Sequence, residues 1–489
     1  MGSIDTTEKF ATPYGVIEMR PALQERLGDV VVLGLGKSGL GAARYLLDQM
    51  NSGQRVTSVT VYPGAATARC ADQIAELTAA GARVVPDLQV VGGSFDLAVV
   101  SPGIPQPGEF YQSAAACARQ IISEPELAWR ESPWGWVGIT GTNGKTTTTS
   151  LIASVLNRCG IEALPVGNIG AVCIDAITSR KPGQLLVAEL SSFQLASMPT
   201  FSPEVGVLLN ITPDHIEWHG TLEAYAEAKL KLFANLAPGS LSVIDADDAG
   251  AAPAIGRLRQ AGHKVVGVGT KRQEGCAACI DGVLGYQLPG QESWQELGSE
   301  EGLQIKGAHN TKNALAAACA CAHFGIPAQK LYQALTAFRP IEHRIEPAGT
   351  VDGVFYCNDS KATNTDATIK ALTAFGDKPL IVLLGGHDKM TDLSDLVAAC
   401  AARCKAVVLF GASRERFAAA FAPVKASGTC QVLEADHLPQ ALEAARAIAV
   451  AGDAVALSPA CSSYDEFTCY QERGDTFKRL VSDLPGTHE

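Results

Sequence analysis

The sequence predicts an α/β protein of three domains: a Rossmann-like N-terminal domain, a central P-loop ATPase-type domain and a C-terminal Rossmann-like domain. Three observations carry this prediction. Short apolar runs alternate with helical periodicity along the chain, the pattern of parallel sheets covered by helices. Two glycine turns, Gly34 to Gly39 and Gly141 to Lys145, each lie between an apolar run and a helix start. The length, 489 residues, exceeds what one ordinary core accommodates. The expected domains are 1–133, 134–338 and 339–489, with the first linker near Glu131-Ser132-Pro133.

In the first segment, Val30 to Leu33 reads as a buried strand and Ala42 to Asp48 as a helix. The intervening Gly34-Leu35-Gly36-Lys37-Ser38-Gly39 suits a pyrophosphate resting on a helix end. A dinucleotide enzyme would place an acid after the second strand, Val56 to Val61. Tyr62-Pro63 stands there instead, and no Asp or Glu lies between Asp48 and Asp72. A nucleotide diphosphate held by its phosphates therefore fits better than nicotinamide, with a plain packing turn as the alternative. A further strand, Phe95 to Val100, leads into Ser101-Pro102-Gly103, and ligands of open α/β sheets collect at such strand ends.

The central segment opens on a strand from Trp136, the turn Gly141-Thr142-Asn143-Gly144 and a helix beginning at Lys145-Thr146-Thr147. Backbone N–H groups and the positive helix end face a phosphate chain, the Lys reaches a terminal phosphate, and a hydroxyl holds magnesium. Ile139 stands where the strict pattern wants Gly, so the loop is a variant. The strand Leu185 to Glu189 ends in a carboxylate, where P-loop enzymes place an acid beside the nucleotide magnesium. Val205 to Leu209 leads into a polar stretch, Asn210 to Gly220. His215 and His219 there have the spacing of a helical zinc pair but no adjacent Glu or third ligand, and a solvated loop is the alternative. On the helix Leu222 to Phe233, Lys229 and Lys231 read as solvent-facing from composition alone. Residues 271–302 suggest edge strands, and Ala314 to Phe324 a helix of small residues.

In the third segment four strands, from Val354, Leu380, Ala406 and Ala454, each run into polar residues, as in a parallel sheet with one functional edge. A net charge of −12 with no basic run argues against nucleic-acid binding. The absence of an N-terminal signal and of any long apolar stretch leads us to expect a cytoplasmic, non-membrane protein. Fourteen Cys without a framework read as small core residues, and the pair Cys276 and Cys279 lacks the second pair that zinc needs.

The motifs together resemble the Mur ligases, which add amino acids to cell-wall precursors. Thr140 to Thr146, Glu189 to Leu195, Asn210 to His215, His309-Asn310 with Asn313, and Glu342-His343-Arg344 carry the likeness. Asn358 to Asn364 and Ser458 to Phe467 resemble the D-glutamate-adding branch, and the similarity runs from Val30 to Leu484. Tyr62 stands where the family often has Asp, and Tyr470 where Phe is usual. The resemblance implies that Gly141, Thr142, Asn143, Gly144, Lys145, Thr146 and Thr147 hold ATP. Asn310 and Arg344 would meet its adenine and phosphate parts, and Asp359 its ribose. It implies two magnesium ions, one on Thr146 and Glu189 and one on His215 and a carbamylated Lys229. Ser101, Gly103, Asn168 and Gln194 would line the UDP-sugar site, and Lys361, Thr363, Lys389, Ser463 and Tyr470 would receive glutamate.

The implied reaction joins D-glutamate to UDP-N-acetylmuramoyl-L-alanine through an acyl phosphate. Lys145, Glu189, His215, Lys229, Arg344 and Lys361 would act on it, in a monomer whose third domain closes with nucleotide bound. The rivals are another ligase of the family, adding L-glutamate or extending folates, and a switch-type P-loop ATPase that forms no bond.

Overall fold

A computed structural model describes residues 8–23, 26–53, 55–64, 70–87, 90–339, 342–388, 390 and 392–487. The chain divides into two compact units. One comprises residues 1–303 and 312–338, the other residues 304–311 and 339–489.

The first unit begins with a hairpin of β1 (Glu8–Thr12) and β2 (Gly15–Met19), paired antiparallel. A five-stranded sheet follows, from β3 (Gly28–Leu33), β4 (Val56–Tyr62), β5 (Arg83–Val84), β6 (Phe95–Val100) and β7 (Ala118–Ser123). Its order is β5-β4-β3-β6-β7 and every pairing is parallel. The helix Lys37–Asn51, longer at both ends than its sequence pattern suggests, buries Ala42, Ala43, Leu46 and Leu47 in the core beside Val30 and Val32.

The second sheet of this unit has nine strands. They are β8 (Trp136–Thr140), β9 (Ala163–Gly167), β10 (Leu185–Glu189), β11 (Val205–Leu208), β12 (Leu241–Asp245), β13 (Lys264–Gly269), β14 (Cys276–Ile280), β15 (Val283–Gln287) and β16 (Gln295–Ser299). The order is β16-β15-β14-β13-β12-β11-β8-β10-β9. Only the β14-β15-β16 edge is antiparallel, which is where the sequence suggests edge strands. The strands β8, β10 and β11 are buried at every position, as expected where helices cover both faces. The two sheets are tied by buried polar contacts. Glu124 accepts from Ile174 N at 2.6 Å, and Glu126 accepts from Phe201 N at 3.1 Å.

The second unit carries β17 (Glu346–Val351), β18 (Val354–Asn358), β19 (Leu380–Gly385), β20 (Cys404–Phe410), β21 (Gln431–Glu434) and β22 (Ala454–Leu457). The order is β17-β18-β22-β19-β20-β21, parallel except for β17. The sequence pattern reveals neither β17, which Pro347 and Gly349 interrupt with a bulge, nor the four-residue β21. Among the described residues no helix is long and apolar enough to cross a membrane.

All fourteen cysteines are free thiols. Cys276 and Cys279 both lie on β14, where residues three apart point to opposite faces and cannot share a metal.

Candidate active site

Strand β8 ends at Thr140 and the chain turns through Gly141 to Gly144 into the helix Lys145–Arg158. Gly144 has φ +83° and Gly141 φ +155°, values that side-chain-bearing residues adopt only under strain, so the turn requires both glycines. The segment after β11 braces it. Asn143 N donates to Asn210 Oδ1 at 2.8 Å, and Asn210 Nδ2 returns a bond to Asn143 O at 3.1 Å. The Thr142 hydroxyl donates to Thr212 O at 3.1 Å and lies 3.0 Å from the Tyr225 hydroxyl. Asn210, Thr212 and Tyr225 therefore shape the loop, a role that no motif in the sequence assigns to them individually. Only their place just past a strand end, or on the following helix, could have signalled it.

Lys145 Nζ donates to the carbonyls of Gly141 at 2.8 Å and Thr142 at 2.7 Å. Thr146 and Thr147 are buried in the first helical turn, and the Thr147 hydroxyl has no partner among the described residues. Parallel pairing sets Glu189 opposite Ile139, so the acid and the phosphate loop finish at one sheet edge. Asn168 Nδ2 donates to Glu189 Oε1 at 2.8 Å. The second oxygen, Oε2, is buried without a hydrogen-bond partner among the described residues. Such an orphaned carboxylate oxygen is costly unless something else binds it, and a carboxylate oxygen is a hard ligand of the kind magnesium prefers.

Lys229 overturns the reading from composition. It is 1% exposed, its Nζ donates to Gly141 O at 2.8 Å, and it lies 4.4 Å above the Tyr225 ring. Burial, with the Lys145 charge adding, holds its ammonium form well below the usual lysine range. Asp214 and Glu189 oppose that shift. Lys231, by contrast, is exposed as composition suggests, although its Nζ donates to Ala196 O.

His215 and His219 do not form a helical pair. His215 precedes the four-residue helix Ile216–His219 with φ +56°, and its ring lies 3.6 Å from both Asp214 and Glu217. His219 Nε2 instead lies 2.9 Å from Ser192 Oγ, and burial pushes its pKa down to about 4. Among the described residues no three His, Cys, Asp or Glu side chains form a metal-holding group.

The remaining substrate candidates of this unit are dispersed. Ser101 Oγ donates to Gly34 O at 3.3 Å, which puts the Ser101-Gly103 turn against the first glycine turn. A Cβ on Gly39 would meet Gly34 O at 2.0 Å, whereas the space beside Gly36 is open. The turn is thus a packing device that leaves one position clear. Gln194 spends its carbonyl oxygen on the Ser191 capping box, and Asn168 is held on Glu189. Tyr62 is buried, with its hydroxyl 3.3 Å from Gly92 N.

In the second unit, Asp359 follows β18. Its carboxylate accepts from Ser458 Oγ at 2.7 Å and Ile345 N at 3.3 Å, and burial raises its pKa to about 6 against the pull of Arg344. The Arg344 Nε is buried without a partner among the described residues. Asn310 Nδ2 donates to Lys306 O at 2.8 Å. Lys361 Nζ lies 3.3 Å from the Tyr470 hydroxyl and 5.1 Å above its ring, and Thr363 N donates to Lys361 O at 2.9 Å. Ser463 is buried after β22. Lys389 lies outside the described residues.

Two family models match successive parts of the chain. The Mur ligase middle domain matches residues 139–321, and the Mur ligase, glutamate ligase domain matches residues 343–461. The UDP-N-acetylmuramoylalanine--D-glutamate ligase of Pelotomaculum thermopropionicum is 38% identical over 93% of this chain and 97% of its own length. The ligase of the same name from Geobacillus kaustophilus is 36% identical over 95% and 100%. In fold, the chain is similar to the UDP-N-acetylmuramate-alanine ligase of Thermotoga maritima, with a TM-score of 0.55 at 19% identity over 93% of this chain and 100% of that one. With the braced phosphate loop and its carboxylate in place, and relatives matching from end to end, the chain belongs to the Mur ligase family.

Proposed function

We propose that the protein joins D-glutamate to UDP-N-acetylmuramoyl-L-alanine at the expense of ATP, in the cytoplasm and as a monomer, during synthesis of peptidoglycan precursors. The observation that carries this reading is the convergence of two lysines, Lys145 and Lys229, on the carbonyl of Gly141, in a chain whose relatives bear that ligase name. Residues 1–133 are assigned to the sugar nucleotide, 134–338 to ATP and 339–489 to the amino acid.

A carboxylate does not condense with an amine directly, because oxide is a poor leaving group. The alanine carboxylate instead attacks the γ-phosphorus of ATP, the bond to the β-phosphate oxygen breaks, and ADP leaves an acyl phosphate. The glutamate amine then attacks the acyl carbon, loses a proton and expels phosphate. Two anions meet in the first step, so catalysis is mostly positional and electrostatic. Lys145 and the loop N–H groups hold the transferring phosphoryl. The bonds of Asn210, Thr212 and Tyr225 fix the loop in advance. Ser101, Gly103, Asn168 and Gln194 are assigned to the sugar nucleotide, Asn310, Arg344 and Asp359 to ATP, and Lys361, Thr363, Lys389, Ser463 and Tyr470 to glutamate.

Thr146 and Glu189 would hold one magnesium and His215 with a carbamylated Lys229 a second, and the orphaned Glu189 Oε2 fits that demand. Bound there, the ions would neutralise phosphate oxygens as the anions approach. Carbamylation adds the neutral Lys229 amine to carbon dioxide, releases one proton and leaves a carbamate anion suited to a hard metal.

The deciding experiment follows ADP release by the purified protein with ATP, adding UDP-N-acetylmuramoyl-L-alanine, D-glutamate or both, with L-glutamate as a separate arm. Release that requires both the sugar nucleotide and D-glutamate supports the reading. Release with L-glutamate instead identifies the sister activity, and ATP hydrolysis indifferent to either addition rejects the ligase.

A further inference from the structure

Arg473 has no exposed surface and no role in the site described above. It belongs to the helix Tyr470–Ser482 and reaches the carboxyl ends of β18, β22 and β19, three neighbours in the sheet. Its Nε donates to Ser360 Oγ at 2.9 Å and its Nη2 to Ser360 O at 2.8 Å. Nη2 also donates to Cys461 O at 3.1 Å, and Nη1 to Ser462 O at 3.2 Å. A Cβ on Gly386 would lie 3.0 Å from Nη1, so the turn after β19 rests against the same guanidinium. One planar cation thus joins the loops that follow three adjacent strands.

The chemistry argues for geometry over stability. Among the described residues no carboxylate forms a salt bridge with Arg473; Asp465, Glu466 and Asp359 contribute only their fields. Burying a cation on neutral carbonyls costs more desolvation than an apolar side chain of the same volume would. What the guanidinium adds is a rigid fork of donors that no other side chain reproduces. The loops it fixes carry Lys361, Thr363 and Ser463. In open α/β sheets, ligands are held where such loops meet at strand ends.

We propose that Arg473 is a positioning residue for the incoming amino acid, fixing the spacing of Lys361, Thr363 and Ser463 without touching substrate. This inference rests on the ligase reading above, and the test separates the two. Wild-type protein, Arg473→Lys and Arg473→Met are compared in ADP release, with each substrate varied in turn, and by thermal melting. Lysine keeps the charge but not the fork. The expected result for Arg473→Lys is a KM for glutamate raised by about tenfold or more, with KM for ATP and for the sugar nucleotide within about twofold of wild type. Arg473→Met should show the same split, because it fills the space while leaving the loops untied. An unchanged glutamate KM in both folded variants would overturn the inference. So would a uniform loss across all three substrates, or an Arg473→Lys protein that does not fold, since either makes Arg473 a stability residue. If wild-type protein itself releases no ADP with the sugar nucleotide and glutamate, the ligase reading fails first.

Discussion

Lys145 and Lys229 share one acceptor: the Gly141 carbonyl oxygen takes an Nζ–H from each at 2.8 Å. Two ammonium groups at one carbonyl repel, and burial falls on Lys229, whose ammonium form is disfavoured. The shift favours the neutral, nucleophilic amine that carbamylation requires. Lys229→Ala should lose at least about a hundredfold in turnover. Added formate or acetate, standing in for the lost carboxylate, should restore part of it. Full activity of the variant without rescue would remove Lys229 from the site.

Glu189 presents one oxygen to Asn168 and keeps the other unpaired. Its removal costs the fold little, since only the Asn168 amide loses a partner. Glu189→Ala and Lys145→Ala should each abolish phosphate release while melting within a few degrees of wild type. At saturating sugar nucleotide, Asn168→Ala should retain turnover but need more magnesium, by about ten- to a hundredfold, because a carboxylate without its orienting amide binds metal less well. A magnesium titration of initial rates measures this. Near-normal release by the Lys145 or Glu189 variant would refute the assignment.

The first glycine turn is tested separately. A methyl at position 39 would meet Gly34 O at 2.0 Å, a backbone atom that cannot swing aside. Gly39→Ala should therefore destabilise by about 2 kcal/mol or more. Gly36→Ala, facing open space, should leave melting unchanged. A stable Gly39→Ala protein would contradict the packing account.

Glu124 supplies a pH dependence. Burial raises its pKa from 4.5 to about 8, although Ile174 N donates to it. Between those values the folded chain holds a proton that the unfolded chain has released. Its contribution to stability is therefore complete below pH 4.5 and declines as pH rises towards about 8. Glu124→Gln keeps the acceptor without the titration. The variant should match wild type near pH 5 and melt higher near pH 9, by a few degrees. Parallel curves across that range would show that Glu124 does not titrate as described.

Much of this architecture is legible in the sequence because its signals are local. The run from Trp136 to Lys145 combines a buried strand, two obligatory glycines and a helix start, and each can be recognised without knowing its neighbours. Patterning does not reveal Lys229 or Arg473, because it assigns every Lys and Arg to solvent; only the family resemblance points to Lys229. Only tertiary surroundings, Gly141 for one and Ser360 with Cys461 for the other, show them to be interior. The hairpin β1-β2 escapes for the opposite reason: apart from buried Ile17, its strand residues are exposed or only partly covered, so they carry little apolar pattern. His215 and His219 mislead because their spacing implies a helix, whereas the backbone at His215 is left-handed.

The in-register pairing of β8 with β10 acts as a ruler. Adding or deleting a single residue in either strand would slide Glu189 by one place against the loop and turn its carboxylate to the far face. Length changes should therefore be rejected in these two five-residue strands and tolerated at the β15-β16 margin, where a register irregularity is already accommodated.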